Sequence, residues 1–144
     1  MNPSRSTDPE VPVEVSPPTA RAIKHRLLER VADSDCSHLT IGPDQGDWQP
    51  LLPGVMLKVL HEHEGVMSYL LRLAPGASLP AHRHPVDEEC VVLDGSVRVG
   101  SRLQVDAGGY HLAHRGALHA RLHTDTGATL FLRGAVPEAQ HVLD

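Results

Sequence analysis

Three side chains that could bind one metal ion lie within a short stretch of the sequence. His82 and His84 stand two positions apart, so on an extended strand both imidazole rings leave the same face, roughly 6.5 Å from each other. Glu88 follows four positions after His84 and opens an apolar run, residues 90–93. A turn between them could return the carboxylate to the two rings. Two imidazoles and a carboxylate are typical ligands of Zn, Fe, Mn and Ni ions.

A fourth candidate lies downstream, where His119 closes a glycine-punctuated stretch, residues 108–119. The two stretches resemble the two motifs of the cupin superfamily. The matched positions are Gly76, His82, His84, Glu88 and Gly95 in the first motif, and Gly108, Gly116 and His119 in the second. The sequence departs from the pattern at His114, where cupins usually have proline, and at His123, where they often have asparagine. The resemblance implies that His82, His84, Glu88 and His119 bind one divalent metal ion inside a small β-barrel.

A longer part of the chain, from residue 20 to residue 133, resembles the ChrR-type cupins within this superfamily. The positions that carry this resemblance are Trp48, Lys58, Arg72, the pair Glu88 and Glu89, and the segment 107–110. In the type member, an anti-sigma factor, this cupin is a C-terminal domain that binds zinc. The sigma-binding part there is an N-terminal zinc domain with a CxxC pair, which this sequence does not contain. We therefore expect no direct sigma-factor partner.

Composition narrows the classes of function. A length of 144 residues predicts one domain. A net charge of -5 argues against binding to nucleic acid or to an anionic membrane surface. The single Phe, single Trp and two Tyr provide no platform for stacking bases. We also find neither an apolar run of the ~20 residues that span a membrane nor the apolar core of a signal peptide. We expect a cytoplasmic protein with no nucleic-acid or membrane partner.

The N-terminal part of the sequence divides into a tail and a helix. Residues 1–18 are rich in proline and poor in apolar side chains, so we interpret them as a disordered tail and residues 19–144 as a single domain. Thr19 can cap a helix from Ala20 to Ala32, in which apolar residues recur at helical spacing.

From Leu39 onward the sequence is typical of β-structure. Short apolar runs alternate with Gly, Pro and Asp, which predicts an all-β sandwich or barrel. The resemblance makes this a double-stranded β-helix, the jelly-roll barrel of the cupins. Asp94 and Gly95, between two apolar runs, predict a tight hairpin.

Side-chain alternation assigns faces to the residues beside the motif. Cys90 shares the parity of Glu88 and Val92, which points it into the barrel. Its thiol is either a small hydrophobic group or a group that reacts near the metal. Glu89 has the opposite parity and is expected at the surface or in a subunit contact, unless a bulge exchanges the two glutamates.

Four further residues are candidates for the pocket or for supporting the metal ligands. His61 and His63 either reach the barrel mouth or form a solvated hairpin end. His123 shares the parity of His119 and could hydrogen-bond a ligand. Arg121 either faces inward, where it would hold an anion, or lies in solvent.

Two functions follow from this reading. The first is a sensing or binding module without turnover, in which the metal is zinc and contributes to folding. The second is a small Fe(II)-dependent dioxygenase that acts on a diketone-like or phenolic substrate, with two coordination positions left open. Manganese and nickel are further possible metals. In either case we expect a homodimer, the common assembly of cupins, and a small-molecule ligand.

Overall fold

The structure is a computed structural model that describes residues 17–34 and 38–137, and the side chains from residue 19 onward. Residues 1–16 of the predicted tail, and Cys36, lie outside the described residues. The tail, and with it the domain boundary at residue 19, stays a prediction. The chain separates into two compact units, divided between Thr40 and Ile41.

The first unit contains helix α1, Pro17–Ser34. The helix begins three residues before the predicted start and ends two residues after the predicted end. Proline suits the first turn of a helix, because its missing N–H has no partner within the helix there. An i,i+4 pair of His25 and Glu29, 3.4 Å apart, lies on the helix surface.

Among its described residues, 41–137, the second unit contains eleven strands. They are β1 (Gln49–Leu52), β2 (Val55–His63), β3 (Val66–Leu73), β4 (Ser78–Leu79), β5 (His82–Arg83), β6 (Glu88–Val99), β7 (Leu103–Asp106), β8 (Tyr110–Ala113), β9 (Leu118–His119), β10 (Leu122–His123) and β11 (Ala128–Ala135).

Antiparallel pairing joins nine of these strands in the order β1-β2-β3-β11-β6-β10-β4, with β7 and β8 also paired to β6. The first half of β6 lies between β11 and β8, and its second half between β7 and β10. One long strand thus belongs to both walls of the barrel, which curves the sheet until it nearly closes. The remaining two strands, β5 and β9, form a separate two-stranded sheet with each other.

The core lies inside this barrel, and the alternation of side chains along each strand determines which residues belong to it. On β3 the buried side chains are Met67, Tyr69, Leu71 and Leu73, and the residues between them are more exposed. The same alternation on β11 buries Leu130 and Leu132. The predicted all-β barrel with one N-terminal helix is confirmed.

The predicted hairpin at Asp94 and Gly95 is wrong. Both residues lie inside β6, which continues to Val99. A hairpin would require the two flanking segments to pair with each other, but they pair with other strands. Gly95 instead adopts a φ of 73° beside a register shift against β11. It therefore marks an irregularity at which the strand passes from one wall of the barrel to the other.

Candidate metal centre

Three of the predicted ligands converge where β5 meets β9. His82 is the direct cross-strand partner of His119, and His84 follows two residues after His82. The ring centroids are 4.4 Å apart for His82 and His84, 5.1 Å for His82 and His119, and 5.4 Å for His84 and His119. One nitrogen of each ring lies within 4.8 Å of the others, so this cluster could hold a metal ion. His84 and His119 are buried, and His82 is half-buried.

Backbone carbonyls set the tautomers of two of these histidines. Nδ1 of His82 lies 2.8 Å from the oxygen of Pro80, and Nδ1 of His119 lies 2.9 Å from the oxygen of Ala120. A carbonyl oxygen only accepts, so each Nδ1 carries the proton and donates it. In the neutral rings the lone pair is then on Nε2. This is the arrangement that metal-binding histidines use, so the donor chemistry fits an ion.

Glu88, the fourth predicted ligand, is buried at the start of β6 beside the histidine cluster. The hydroxyl of Tyr69 donates to its Oε2 over 3.0 Å, and the same oxygen lies 3.5 Å from Nδ1 of His84. Gly134 makes room for this carboxylate, because a Cβ at position 134 would lie 3.0–3.1 Å from three Glu88 atoms. In this arrangement Glu88 lies beside Nδ1 of His84. Its role as a metal ligand stays a prediction.

Burial shifts the protonation equilibria of the site. Desolvation raises the pKa of Glu88 to about 7, although the hydrogen bond from Tyr69 acts in the opposite direction. Burial and the nearby Glu88 raise the pKa of the Cys90 thiol to about 12 and that of Tyr69 well above its usual value. Burial lowers the pKa of His119 to about 4, with smaller contributions from His82 and His111. In the metal-free protein, His119 is therefore neutral at pH 7.

A fourth histidine, His111, reaches the cluster from β8. It lies opposite Cys90 across the β6–β8 pair, and its Nε2 is 3.2 Å from Nε2 of His119. Burial lowers its pKa. Sequence reasoning assigned His111 no specific place and did not single out Tyr69. The parity of Tyr69 with buried neighbours on β3 could have identified it, whereas the position of His111 depends on which strand lies beside β6.

The histidines line a cavity of about 510 Å³ inside the barrel. Its polar lining residues are Tyr69, His82, Arg83, His84, Glu88, Cys90, His111 and His119. The other lining residues are Leu51, Leu52, Leu71, Leu79, Pro80, Pro85, Val92, Val97, Val99, Val105, Leu122, Leu132, Ala135, Val136 and Pro137. Cys90 therefore faces the cavity, as its parity predicts.

The remaining predicted pocket residues lie elsewhere. His61 and His63 are exposed at the end of β2, which agrees with the solvated alternative. Arg121 is exposed and donates to Oγ of Ser78 over 3.0 Å. His123 is half-buried, and its Nε2 lies 3.0 Å from Oδ1 of Asp125. Each of these four side chains is outside the set that lines the cavity.

Glu89 lies on the opposite face of β6 from Glu88. Its carboxylate accepts a hydrogen bond of 3.1 Å from the Tyr110 hydroxyl and lies 3.8 Å from the guanidinium of Arg133. The register in which Glu88 faces inward and Glu89 outward is therefore the one that the structure adopts.

Comparison with known families agrees with this architecture. The model of the ChrR cupin-like domain matches residues 37–136, more than half of the chain. No curated protein matches the sequence. Among the described residues, we find no helix long and apolar enough to cross a membrane.

Solved structures share the fold at low sequence identity. A Methylibium petroleiphilum protein proposed to be an acetylacetone dioxygenase has a TM-score of 0.63 and 19% identity, over 77% of this chain and 89% of that one. An acetylacetone dioxygenase from Acinetobacter johnsonii has a TM-score of 0.61 and 16% identity, over 77% of this chain and 85% of that one. The anti-sigma ChrR in complex with SigE, from Rhodobacter sphaeroides, has a TM-score of 0.57 and 19% identity, over 88% of this chain and 70% of that one. The predicted jelly-roll cupin fold is confirmed.

Proposed function

Because the chain belongs to the ChrR cupin-like domain family, we propose that it is a metal-binding sensing module that holds a small molecule without converting it. The observation that carries this proposal is the position of three histidines in the wall of a cavity of about 510 Å³. An ion held by these side chains would be in direct reach of a molecule inside the barrel. Binding in the cavity would thus change the surroundings of the ion, which is what a sensor needs.

We propose that His82, His84 and His119 hold the ion through nitrogen and that Glu88 is the fourth ligand, through oxygen. Three neutral imidazoles and one carboxylate suit zinc, although iron, manganese and nickel accept the same donors. Bound zinc would act as a Lewis acid toward an oxygen atom of a ligand, and its binding free energy would add to the stability of the fold.

The other polar groups of the cavity support binding rather than turnover. In the metal-free protein the Cys90 thiol has a pKa of about 12, so it stays protonated at neutral pH and is a poor nucleophile. Tyr69 has a pKa raised by burial, so it also keeps its proton, which it donates to Glu88. Both groups therefore act as neutral walls of the cavity.

The second candidate is an Fe(II)-dependent dioxygenase with a diketone-like or phenolic substrate, and one observation favours it. Glu88 is a buried carboxylate in the wall of the cavity, beside the histidine cluster, which is where a general base would be needed. Its carboxylate could accept a proton from an acidic C–H or O–H bond of a molecule in the cavity. Bound iron would supply the electron chemistry with oxygen, and the apolar walls would keep water away.

Elemental analysis of natively purified protein, together with oxygen uptake, separates the two functions. We expect about one zinc per chain, and no oxygen uptake with pentane-2,4-dione or catechol by either the zinc-loaded or the iron-loaded protein. Glu88→Gln, compared at equal metal content because Glu88 is also a proposed ligand, is the control. Stoichiometric iron, with oxygen uptake that Glu88→Gln abolishes, would contradict the sensing function and support the dioxygenase.

We also propose that the protein is a homodimer in the cytoplasm. Leu93 and Tyr110, on the neighbouring strands β6 and β8, expose 52% and 55% of their surfaces, which suits a contact between two copies. Light scattering during gel filtration tests the dimer, and a monomer at micromolar concentration would contradict it. Cell fractionation tests the location.

A further inference from the structure

We propose that the cavity takes a small aliphatic molecule with a single oxygen-bearing head, a carboxylate or ketone, and that His111 donates a hydrogen bond to this head. The inference rests on the proposed function, because it assumes that His82, His84 and His119 hold an ion. It adds the chemical class of the ligand and the residue that selects its head.

The distribution of polar groups defines the ligand class. Tyr69, Glu88 and His84 are linked by contacts of 3.0 and 3.5 Å, and His84 belongs to the histidine cluster. Cys90 is next to them, because it follows Glu88 by two residues and lies opposite His111. The polar lining thus forms one group around the histidines, apart from Arg83, which is exposed and donates to the oxygen of Gly116.

The rest of the cavity wall is aliphatic. Leu71, Val92, Val97, Leu122 and Leu132 are buried core residues that line it, and their side chains offer no hydrogen bond. A hydroxyl group placed against this wall would lose its hydrogen bonds to water without replacement. The cavity therefore discriminates against sugars and other polyols and favours an unfunctionalised hydrocarbon chain.

The tautomers identify His111 as a donor at the polar end. Nδ1 of His119 donates to the oxygen of Ala120, so Nε2 of the neutral ring carries a lone pair. The contact of 3.2 Å between this atom and Nε2 of His111 is a hydrogen bond only if His111 carries its proton on Nε2. When an ion takes the lone pair of His119, the N–H of His111 loses its acceptor. A ligand oxygen beside the ion would be the replacement.

The first experiment is calorimetric titration of zinc-loaded protein with hexanoate and with gluconate. Both are six-carbon carboxylates, and they differ in the hydroxyl groups that gluconate carries along its chain. We expect hexanoate to bind at least about tenfold more tightly. Equal or tighter binding of gluconate would overturn the aliphatic class. Zinc binding without hexanoate binding would overturn this inference alone, whereas failure to bind zinc would overturn it together with the proposed function.

The second experiment tests His111. His111→Leu removes the donor, and we expect about tenfold weaker hexanoate binding with zinc content unchanged. His111→Gln keeps an N–H donor and should lose less affinity. His114→Leu changes an exposed histidine of the same segment and should behave as wild type.

Two results would overturn the role of His111. Hexanoate affinity unchanged in His111→Leu would show that the residue does not contact the head. Loss of zinc in the same variant would show that His111 holds the ion instead. If His111→Leu fails to fold, His111→Phe, which keeps an aromatic ring without an N–H, provides the same comparison.

Discussion

At the scale of single residues, two of the three histidines in the candidate centre already use one ring nitrogen in a hydrogen bond to the backbone. His82 and His119 each donate Nδ1–H to a carbonyl oxygen, which holds the ring in place and directs Nε2 into the cluster. Such contacts raise metal affinity, because the ligand does not have to be ordered when the ion binds. The site therefore combines fixed rings with a carboxylate that the hydroxyl of Tyr69 holds nearby.

Alanine at His82, His84 or His119 should lower zinc content far below one per chain and lower the melting temperature. Each change removes one nitrogen of the cluster and with it part of the free energy that zinc binding adds to folding. Elemental analysis and thermal unfolding measure both effects, with the exposed His114→Ala as control. A variant that keeps full zinc content and an unchanged melting temperature would remove that residue from the site.

The two adjacent glutamates give a sharper test. Glu88→Gln should weaken zinc binding by roughly tenfold or more, about 1.4 kcal/mol, because a charged oxygen beside the cluster is lost. Glu89→Gln should change the affinity by no more than about two- to threefold, since Glu89 lies on the outer face. Competition with a chromogenic chelator measures both. The reverse order would place Glu89 rather than Glu88 at the ion.

Protonation of Glu88 makes the stability of the metal-free protein depend on pH. The native pKa of about 7 exceeds the ordinary value of 4.5, so between these pH values the native state binds more protons than the unfolded state. The stability that Glu88 contributes to the metal-free protein is therefore fully present below about pH 4.5 and is lost as the pH rises through 7. His119, with a lowered pKa, changes stability in the opposite direction between about pH 4 and 6.5.

Comparison with Glu88→Gln isolates the carboxyl group. The difference in unfolding free energy, variant minus wild type, should grow by about 3 kcal/mol at most from pH 4.5 to pH 7.5. Urea unfolding of both chelator-treated proteins at each pH measures it. A constant difference across this range would show that Glu88 titrates normally.

At the scale of elements, β6 is the strand that connects the site to the barrel. Its first residue, Glu88, lies at the candidate centre, and its later half forms the opposite wall. The passage between the two halves occurs at Gly95, where the φ of 73° is in the left-handed region. A Cβ there would overlap the carbonyl oxygen of Gly127.

Gly95→Ala should therefore destabilise the protein by about 3 kcal/mol or more, or prevent folding, because backbone strain and a backbone clash add. The control is Gly65→Ala, which has a φ of 78° but nothing within 4 Å of the added atom. It should cost only about 1–2 kcal/mol. Urea unfolding measures both. Equal costs at the two positions would show that the approach of Gly127 is unimportant.

At the scale of the whole molecule, every strand in the described part of the chain and all four predicted ligands lie in the second unit, residues 41–144. We expect a protein without residues 1–40 to fold and to bind zinc as the full chain does. A protein without residues 1–18 should match the full chain in stability as well, because that segment has few apolar side chains to bury. Thermal unfolding and zinc content measure both. Aggregation of the protein that lacks residues 1–40 would show that the barrel needs part of the first unit in order to fold.

Local features of the sequence determined much of this protein. The HxH spacing predicted that His82 and His84 meet, the resemblance to the cupin motifs added His119, and the structure brings these three together. The parity of Glu88, Cys90 and Val92 predicted which face of β6 is buried. The two-residue period of a strand places His82 with His84, and Glu88 with Cys90 and Val92. The resemblance to the cupin motifs, rather than this period, supplied His119 and the inward face of Glu88.

Only the tertiary structure decided the features that depend on strand partners. Asp94 and Gly95 satisfy a local hairpin pattern, but β11, β7 and β10 supply other partners for the two halves of β6. His111 reaches His119 because β8 pairs beside β6, and Tyr69 on β3 reaches Glu88 on β6 because β11 pairs with both strands. These contacts depend on which strands pair, and the burial of one shared core, rather than any local spacing, selects the pairing.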